Sequence, residues 1–569
     1  MLNFENLNIL DKHISFLQKI CHKDNIFLVW WSVRNILLNI DLNPDDIDFT
    51  TNWIPSQIYE KIDKIDLSHF ITEKFGTITL LPKSGEFKKI KYELTPLRTE
   101  SWYQDFRHPD EINRTSDLLL DSQRRDFTIN CIYYTCTDIK LPENKKQEKI
   151  KDIEHFSKIL WNYWFVYIVD QNLLILQNSE IISSLFHQSK LDKGKLTELI
   201  NKNMSYFWNG DSIKKPLGIV IDPHNGINDI LARQIKAVWN PDNRFGEDAL
   251  RIVRAVRFLN ILNQKLEKTS KSEKNYFNID NDTWDSMLRN ANLVENVAKE
   301  RIKDEILKIF KNKNPFSFVV LLDKLDILKY IFPNVYQTKN VDQPIRYHPF
   351  DVYVHTILTL HAVQGLNKDY LVKLWILYHD VGKPEQYDYI ASGLDREEIK
   401  KINWTDIHHP NIWEAKTKKD FQELGFSKKE TDTVCFYVKN HMLIWEILKW
   451  SPENLDKKIK KLLSQYGYKM TKNLLDVVKA DRLGHYNPVQ PPALSDLKFF
   501  GKRLKEIYKL QWAFGLRDLA VNWNDIINEM NIKPWPQIKE LLNKALEWVL
   551  EDVSSRNNKI DIIDFLKQG

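Results

Sequence analysis

The period of the hydrophobic pattern changes once along this chain, and that change limits the folds open to it. Over the first 135 residues short apolar stretches read as buried strands. Ile26-Phe-Leu-Val29 is a continuous run, Ile47 and Phe49 alternate with polar neighbours, and Thr77-Ile-Thr-Leu-Leu81 and Ile90-Lys-Tyr-Glu-Leu94 continue the series. Between them, Arg34 to Asn39 suits a short helix. From about Val238 onward the pattern becomes long amphipathic segments at helical spacing, such as Ala249 to Leu262, Ala298 to Phe310 and Val352 to Leu366. A chain of 569 residues is too long for one hydrophobic core, so several domains are expected. The expected fold is an α/β head with a mixed sheet, followed by an all-α remainder. Residues 136 to 216 lie between the two regions and carry no motif, repeat or low-complexity tract that assigns them a role.

Several classes are excluded. No apolar run approaches the ~18 residues of a membrane helix, and the N-terminus carries Glu5 and Asp11 where a leader would be basic and then apolar, so a cytoplasmic location with no membrane partner is expected. Cys21, Cys131, Cys136 and Cys435 show no CxxC spacing, which argues against a zinc knuckle or a disulfide framework. A net charge of +5 suits an RNA partner without requiring one. The lysine run Lys457-Lys-Ile-Lys-Lys461 reads as a solvated helix face, and nothing points to an obligate protein partner.

Asp46-Ile47-Asp48 is the first chemical signal. On a strand, carboxylates two residues apart project from one face, as a pair of Mg²⁺ ions ~3.5–4 Å apart requires for in-line phosphoryl transfer. Alone, a DxD tripeptide after Asn43-Pro44 reads as a solvated turn. Its neighbours change that reading. Phe27-Leu-Val-Trp-Trp-Ser-Val-Arg-Asn35 precedes it, and Arg124-Arg-Asp-Phe-Thr-Ile-Asn-Cys131, Asp222-Pro-His-Asn-Gly226 and Glu247-Asp-Ala-Leu-Arg-Ile-Val-Arg-Ala-Val-Arg-Phe258 follow in order. These four motifs resemble those of the class II tRNA nucleotidyltransferase and poly(A) polymerase family.

The resemblance implies a nucleotidyltransferase head at 1–135 completed by 217–237, an insertion at 136–216, a helical neck at 238–340, and a C-terminal helical tRNA-binding tail at 491–569. It implies CCA addition to tRNA from CTP and ATP, with Mg²⁺ on the catalytic Asp46 and Asp48. Ser32, Arg34, Arg124, Arg125, Asp126, Asn130, Asp248, Arg251, Arg254 and Arg257 fall on its nucleotide-binding positions. Arg124 and Arg125 can neutralise triphosphate oxygens, and Asp126 is implied to accept from the ribose 2′-OH. Asp248 and Arg251, three apart on a predicted helix, share a face. A carboxylate beside a guanidinium accepts the amino donor and ring acceptor of C and A and rejects G and U. Phe75-Gly-Thr-Ile-Thr79, Tyr92-Glu-Leu-Thr-Pro-Leu-Arg98 and the segment Glu100 to Asp117 resemble the CCA-adding branch more than the polymerase branch. An A-adding or CC-adding specialist and a poly(A) polymerase are the alternatives.

Two departures from the family pattern stand out. Asn35 replaces the usual aspartate. Trp30-Trp31 replaces paired glycines that let backbone N–H groups approach the triphosphate, and Trp239, Trp413, Trp523, Trp535 and Trp548 also fall at usual glycine positions. Sixteen glycines and eighteen tryptophans together make about the share glycine alone normally takes. A source organism that reads UGA as glycine, translated here as tryptophan, accounts for this pattern. If these are true tryptophans, the alternative is an RNA-binding phosphohydrolase with an inactive transferase head.

That alternative draws on a second constellation. His355, His379-Asp380, His409, His441 and Asp481 occur in a helical stretch with Ile376-Leu-Tyr-His-Asp-Val-Gly-Lys-Pro384. The ordered set resembles the HD superfamily of metal phosphohydrolases, which implies an HD domain at 341–490, a divalent metal, and phosphatase or 2′,3′-cyclic phosphodiesterase activity.

Overall fold

The computed structural model describes residues 4–18, 20, 26–40, 46–53, 58, 62, 67–72, 76–101, 111–141, 165–168, 173–177, 179–187, 190–204, 215–267, 276–312, 314–343, 349–385, 410–448, 452–485, 493–509, 516–530, 537–550 and 553–568. Met1–Ala298 forms one compact unit and Lys299–Gly569 a second.

In the first unit the strands are β1 (Ile26–Leu28), β2 (Asp46–Thr51), β3 (Leu67–Thr72), β4 (Thr77–Pro82), β5 (Lys91–Pro96), β6 (Arg98–Ser101), β7 (Glu111–Arg114), β8 (Tyr133–Leu141), β9 (Phe165–Ile168), β10 (Leu173–Leu176), β11 (Phe186–His187), β12 (Lys190–Leu191) and β13 (Lys215–Ile221). Nine of them form one mixed sheet in the order β3-β4-β5-β2-β1-β8-β13-β10-β9. The central strands are apolar because they are covered on both faces: Ile26, Phe27, Leu28, Ile47, Phe49, Tyr92, Leu94, Tyr133 and Ile219 are all buried. The parallel pairing of β2 with β5 sets Asp46 opposite Lys91 and Asp48 opposite Glu93. Because side chains alternate, those four residues share one face of the sheet.

The expected α/β head is present, and residues 136–216 are more closely joined to it than a separating segment would be. Strand β8 runs on to Leu141, and β9 and β10 extend the sheet, β10 lying parallel to β13. Leu174, Leu176, Ile182, Leu185, Leu191 and Leu196 of this stretch pack in one cluster with Phe27, Tyr133 and Ile221. Their apolar content supplies a shared core, a signal that no motif search detects. Nor is the chain purely helical beyond Val238, since β14 (Gln234–Ile235) pairs in parallel with β15 (Asn278–Ile279).

The second unit is helical throughout its described elements. Val352–Leu366 starts at Asp351, whose side chain accepts from the Val354 N–H, and Tyr370–Tyr378 starts at Asp369, which accepts from the Leu371 N–H. Ser427 and Glu430 form a capping box on Lys428–Lys439. The long segment Pro452–Gly484 breaks at Gly467, whose φ of 72° is one that glycine adopts without a Cβ clash. The last helices bury Ile526, Ile538, Ala545, Val549 and Ile562 in a core of their own. Among the described residues no helix is long and apolar enough to cross a membrane.

Candidate functional site

Asp46 and Asp48 project from β2 as the alternation requires. Burial pushes the Asp48 carboxyl up to about 7, with the charges of Asp46 and Glu93 adding to the effect, against the opposing pull of Arg125 and a hydrogen bond from Trp31. Burial likewise raises Asp46, and Lys91 opposes it from 3.7 Å. Concentrated negative charge of this kind suits a divalent cation. Glu93, which also pairs with Lys91, is a third carboxylate that sequence reasoning missed. Its signal was the alternation of Lys91 and Glu93 around the buried Tyr92, but only strand pairing tells which carboxylate lies beside Asp48.

Around this face the arginines are held by internal acceptors. Asp121 is fully buried, and although burial alone would raise it, Arg124 and Arg125 hold its carboxyl down to about 2. Arg124 Nε donates to Asp121 Oδ1 at 2.9 Å and Arg125 Nη2 to Oδ2 at 2.9 Å. Asp121 was not singled out in the sequence, yet it fixes both guanidinium groups. Asp126 accepts from Arg254 Nη2 at 2.6 Å, from Asn130 Nδ2 at 3.0 Å and from its neighbour's backbone N–H. Burial would raise it too, and Arg254 with Asn130 keeps it near 2. Arg34 Nη1 donates to Asn130 Oδ1 at 2.7 Å, and Arg34 Nε and Nη2 both donate to Asn35 Oδ1, at 3.1 and 3.0 Å. Asn35 thus helps to position the Arg34 guanidinium without placing a charge beside it. Ser32 Oγ is buried with no hydrogen-bond partner among the described residues.

The expectation that Asp248 and Arg251 share one helix face needs correction. Asp248 does not lie on a helix with Arg251: it separates Pro241–Glu247 from Leu250–Glu267 in extended backbone, φ −151° and ψ 97°. Its Oδ1 accepts from the Leu250 N–H at 3.1 Å, the contact a short acidic side chain makes at a helix start. Arg251 is aligned instead by Glu247, whose Oε2 lies 2.7 Å from Nη1, and by the carbonyls of Arg244 and Arg124. Arg257 lies over the Phe258 ring at 4.1 Å.

Asp222 is a structural residue. Its carboxylate accepts from the N–H groups of Gly226 and Ile227 at 2.7 and 2.9 Å, and from Gln177 at 3.2 Å. Gly226 is obligatory, because a Cβ there would lie 2.3 Å from the Thr128 carbonyl oxygen. The motif locks the helix Gly226–Leu231 against the turn that carries Asn130.

Trp30 occupies φ 68° and ψ −140°, a conformation that side-chain-bearing residues rarely adopt. Arg125 lies 5.8 Å and Arg254 5.6 Å from its ring centre, so the indole sits beside two of the expected nucleotide-binding arginines. Trp239 also has positive φ, 62°. Trp31 opens a helix and is not strained in this way.

In the second unit, metal-ligating atoms of His355, His379 and Asp481 lie within 4.8 Å of one another. His355 Nε2 is 3.0 Å from Asp481 Oδ1 and 3.2 Å from His379 Nε2. Asp380 Oδ2 lies 3.2 Å from His379 Nε2 and 2.6 Å from Lys383 Nζ. Two imidazoles with two carboxylates are a donor set that fits a divalent transition metal. His441 is buried against Trp413, ring centres 4.6 Å apart, and is not in the converging group. His409, Trp535 and Tyr103 to Asp110 lie outside the described residues.

Residues 26–155 match the family described as the Poly A polymerase head domain, and residues 276–338 match "Probable RNA and SrmB-binding site of polymerase A". The chain is 28% identical over 293 residues to a CCA-adding enzyme of Limosilactobacillus reuteri, covering 51% of this chain and 47% of that protein. It is 27% identical over 316 residues to one of Lactococcus lactis, covering 55% and 54%. The chain therefore spans about half the length of the curated relatives it matches. In fold it is similar to the Bacillus stearothermophilus CCA-adding enzyme solved with CTP, at 16% identity and a TM-score of 0.56 over 98% of this chain and 97% of the other. The ordered motifs are thus assembled in one unit whose fold is similar to that of a CCA-adding enzyme, and residues 26–155 of the chain match the Poly A polymerase head domain family.

Proposed function

We propose that this chain transfers CMP and AMP from CTP and ATP to the 3′ end of tRNA. The observation that carries the proposal is the carboxylate face of β2 and β5, where Asp46, Asp48 and Glu93 gather beside an arginine set already fixed by Asp121, Asp126 and Asn35. The tRNA 3′-OH attacks the α-phosphorus and pyrophosphate leaves. Mg²⁺ held by Asp46 and Asp48 would lower the pKa of the attacking hydroxyl and stabilise charge on the α-phosphate. Arg34, Arg124 and Arg125 offer fixed donors to the triphosphate, which lowers the reorganisation needed when charge develops. Arg251, aligned by Glu247, and Asp248 select C and A by their donor and acceptor edges. Purified protein given tRNA ending before CCA should add both nucleotides from CTP and ATP, and Asp48→Ala should abolish this. Full addition by Asp48→Ala would end the proposal, and long tails on unrelated RNAs would favour a poly(A) polymerase.

A second activity is favoured by the cluster of His355, His379, Asp380 and Asp481. It fits hydrolysis of a phosphomonoester or 2′,3′-cyclic phosphate at an RNA end, with a divalent ion supplying the activated water. Release of phosphate from such ends, lost in Asp380→Asn, tests it.

A further inference from the structure

We propose that His485 is an additional nitrogen donor of the metal centre in the second unit. The centre is then built for an ion that favours imidazole, such as cobalt, nickel or zinc, over magnesium. The inference rests on reading His355, His379, Asp380 and Asp481 as that centre. His485 lies four residues beyond Asp481, just past the end of Pro452–Gly484, so one turn brings both to the same side. Its Nε2 is 3.7 Å from Asp481 Oδ1, the same oxygen that His355 Nε2 approaches at 3.0 Å and His379 Nε2 at 3.6 Å. Three imidazole nitrogens therefore surround one carboxylate oxygen. The His485 ring also packs on the His355 ring, with centres 4.9 Å apart.

A second feature places His485 there independently. A Cβ on Gly484 would lie 2.0 Å from Thr359 Oγ1 and 3.1 Å from Thr359 Cα, so only glycine lets the end of this segment rest on the helix Val352–Leu366. That helix carries His355 one turn earlier. Three imidazoles with two carboxylates shift preference towards nitrogen-favouring ions, whereas a carboxylate and water set suits magnesium.

The test is Co²⁺ titration of the metal-free full chain in an Asp48→Ala background, which keeps the first unit's site from reporting, followed by visible absorption and calorimetry. His485→Gln, at a partly exposed position, should weaken Co²⁺ binding by about tenfold or more and alter the visible bands. Gly484→Ala, which retains the imidazole but forces the segment off Thr359, should weaken it too. Wild-type affinity and spectrum in His485→Gln, with binding lost in His379→Ala, would overturn the proposal and leave the metal centre standing. Unchanged binding in both His379→Ala and His485→Gln would remove the centre itself and the proposal with it.

Discussion

Replacing Trp30 by glycine is the most informative perturbation of the transferase site. At φ 68° and ψ −140° a tryptophan carries about 1–3 kcal/mol of backbone strain, which glycine releases. Against this stand the lost contacts of a partly buried indole, below the ~3–5 kcal/mol of a fully buried aromatic, and about 0.5–1 kcal/mol for glycine's extra freedom when unfolded. The opposing terms leave folding stability within about 2 kcal/mol of the parent. Binding is different, because the indole lies beside Arg125 and Arg254. Two charge-assisted hydrogen bonds from these arginines to the nucleotide, at about 1.5–3 kcal/mol each, correspond to roughly 10²- to 10⁴-fold in CTP affinity. Calorimetric titration with CTP and single-turnover transfer to tRNA ending before CCA should both show the gain, with thermal unfolding little changed. A variant that folds like the parent but binds CTP no better would refute the reasoning, since the indole would then be compatible with the bound triphosphate.

Three further outcomes follow from the geometry. Asp48 has its carboxyl raised to about 7 from an unfolded value near 3.8, so the metal-free fold holds a proton that the unfolded chain releases. Its contribution to stability should fall by up to about 4 kcal/mol as pH rises from 4 to above 7, and Asp48→Asn should flatten that dependence in denaturant titrations. Glu247→Gln should loosen the alignment of Arg251 and raise misincorporation of GTP and UTP relative to CTP by about tenfold, read as a ratio of kcat/KM values; an unchanged ratio would mean the Arg244 and Arg124 carbonyls suffice. Gly226→Ala would drive a Cβ into the Thr128 carbonyl and should lower stability by about 2 kcal/mol or more, seen as a drop in Tm, with an undiminished Tm showing that the turn can move aside.

What the sequence disclosed and what it withheld divide along physical lines. Strand alternation around Ile47 and Phe49 and the spacing of Asp46 and Asp48 depend on neighbours in the chain, and both reappear in β2. Glu93 and His485 depend on partners in other elements, Glu93 on the register of β5 on β2 and His485 on His355, whereas Asp121 sits three and four residues before Arg124 and Arg125 and becomes their anchor only once it is fully buried. Asp248 shows the limit of a helical reading. Spacing three from Arg251 fits a helix, but a carboxylate that accepts the Leu250 N–H instead starts one. Likewise, residues 136–216 carry no motif because their contribution is leucine and isoleucine burial beside β13, which many sequences can supply.

The tryptophans are not equivalent, and their backbones sort them. Glycine's distinctive property is access to positive φ, so a tryptophan written for glycine is exposed most clearly where the fold still demands that conformation. Trp30 and Trp239 meet this condition at 68° and 62°, whereas Trp31 and Trp523 open helices and Trp548 stacks on Phe565 at 4.7 Å within the C-terminal core. Trp413 presents a different sign. Its indole lies where a Cβ on Gly382 would fall, and it covers His441, a residue expected at the second metal centre. A glycine at 413 would leave His441 free of that cover. Recoding therefore predicts effects at both sites at once. Peptide masses of the protein from its source organism should show glycine at 30, 239 and 413, and UGG codons at those positions would end the idea.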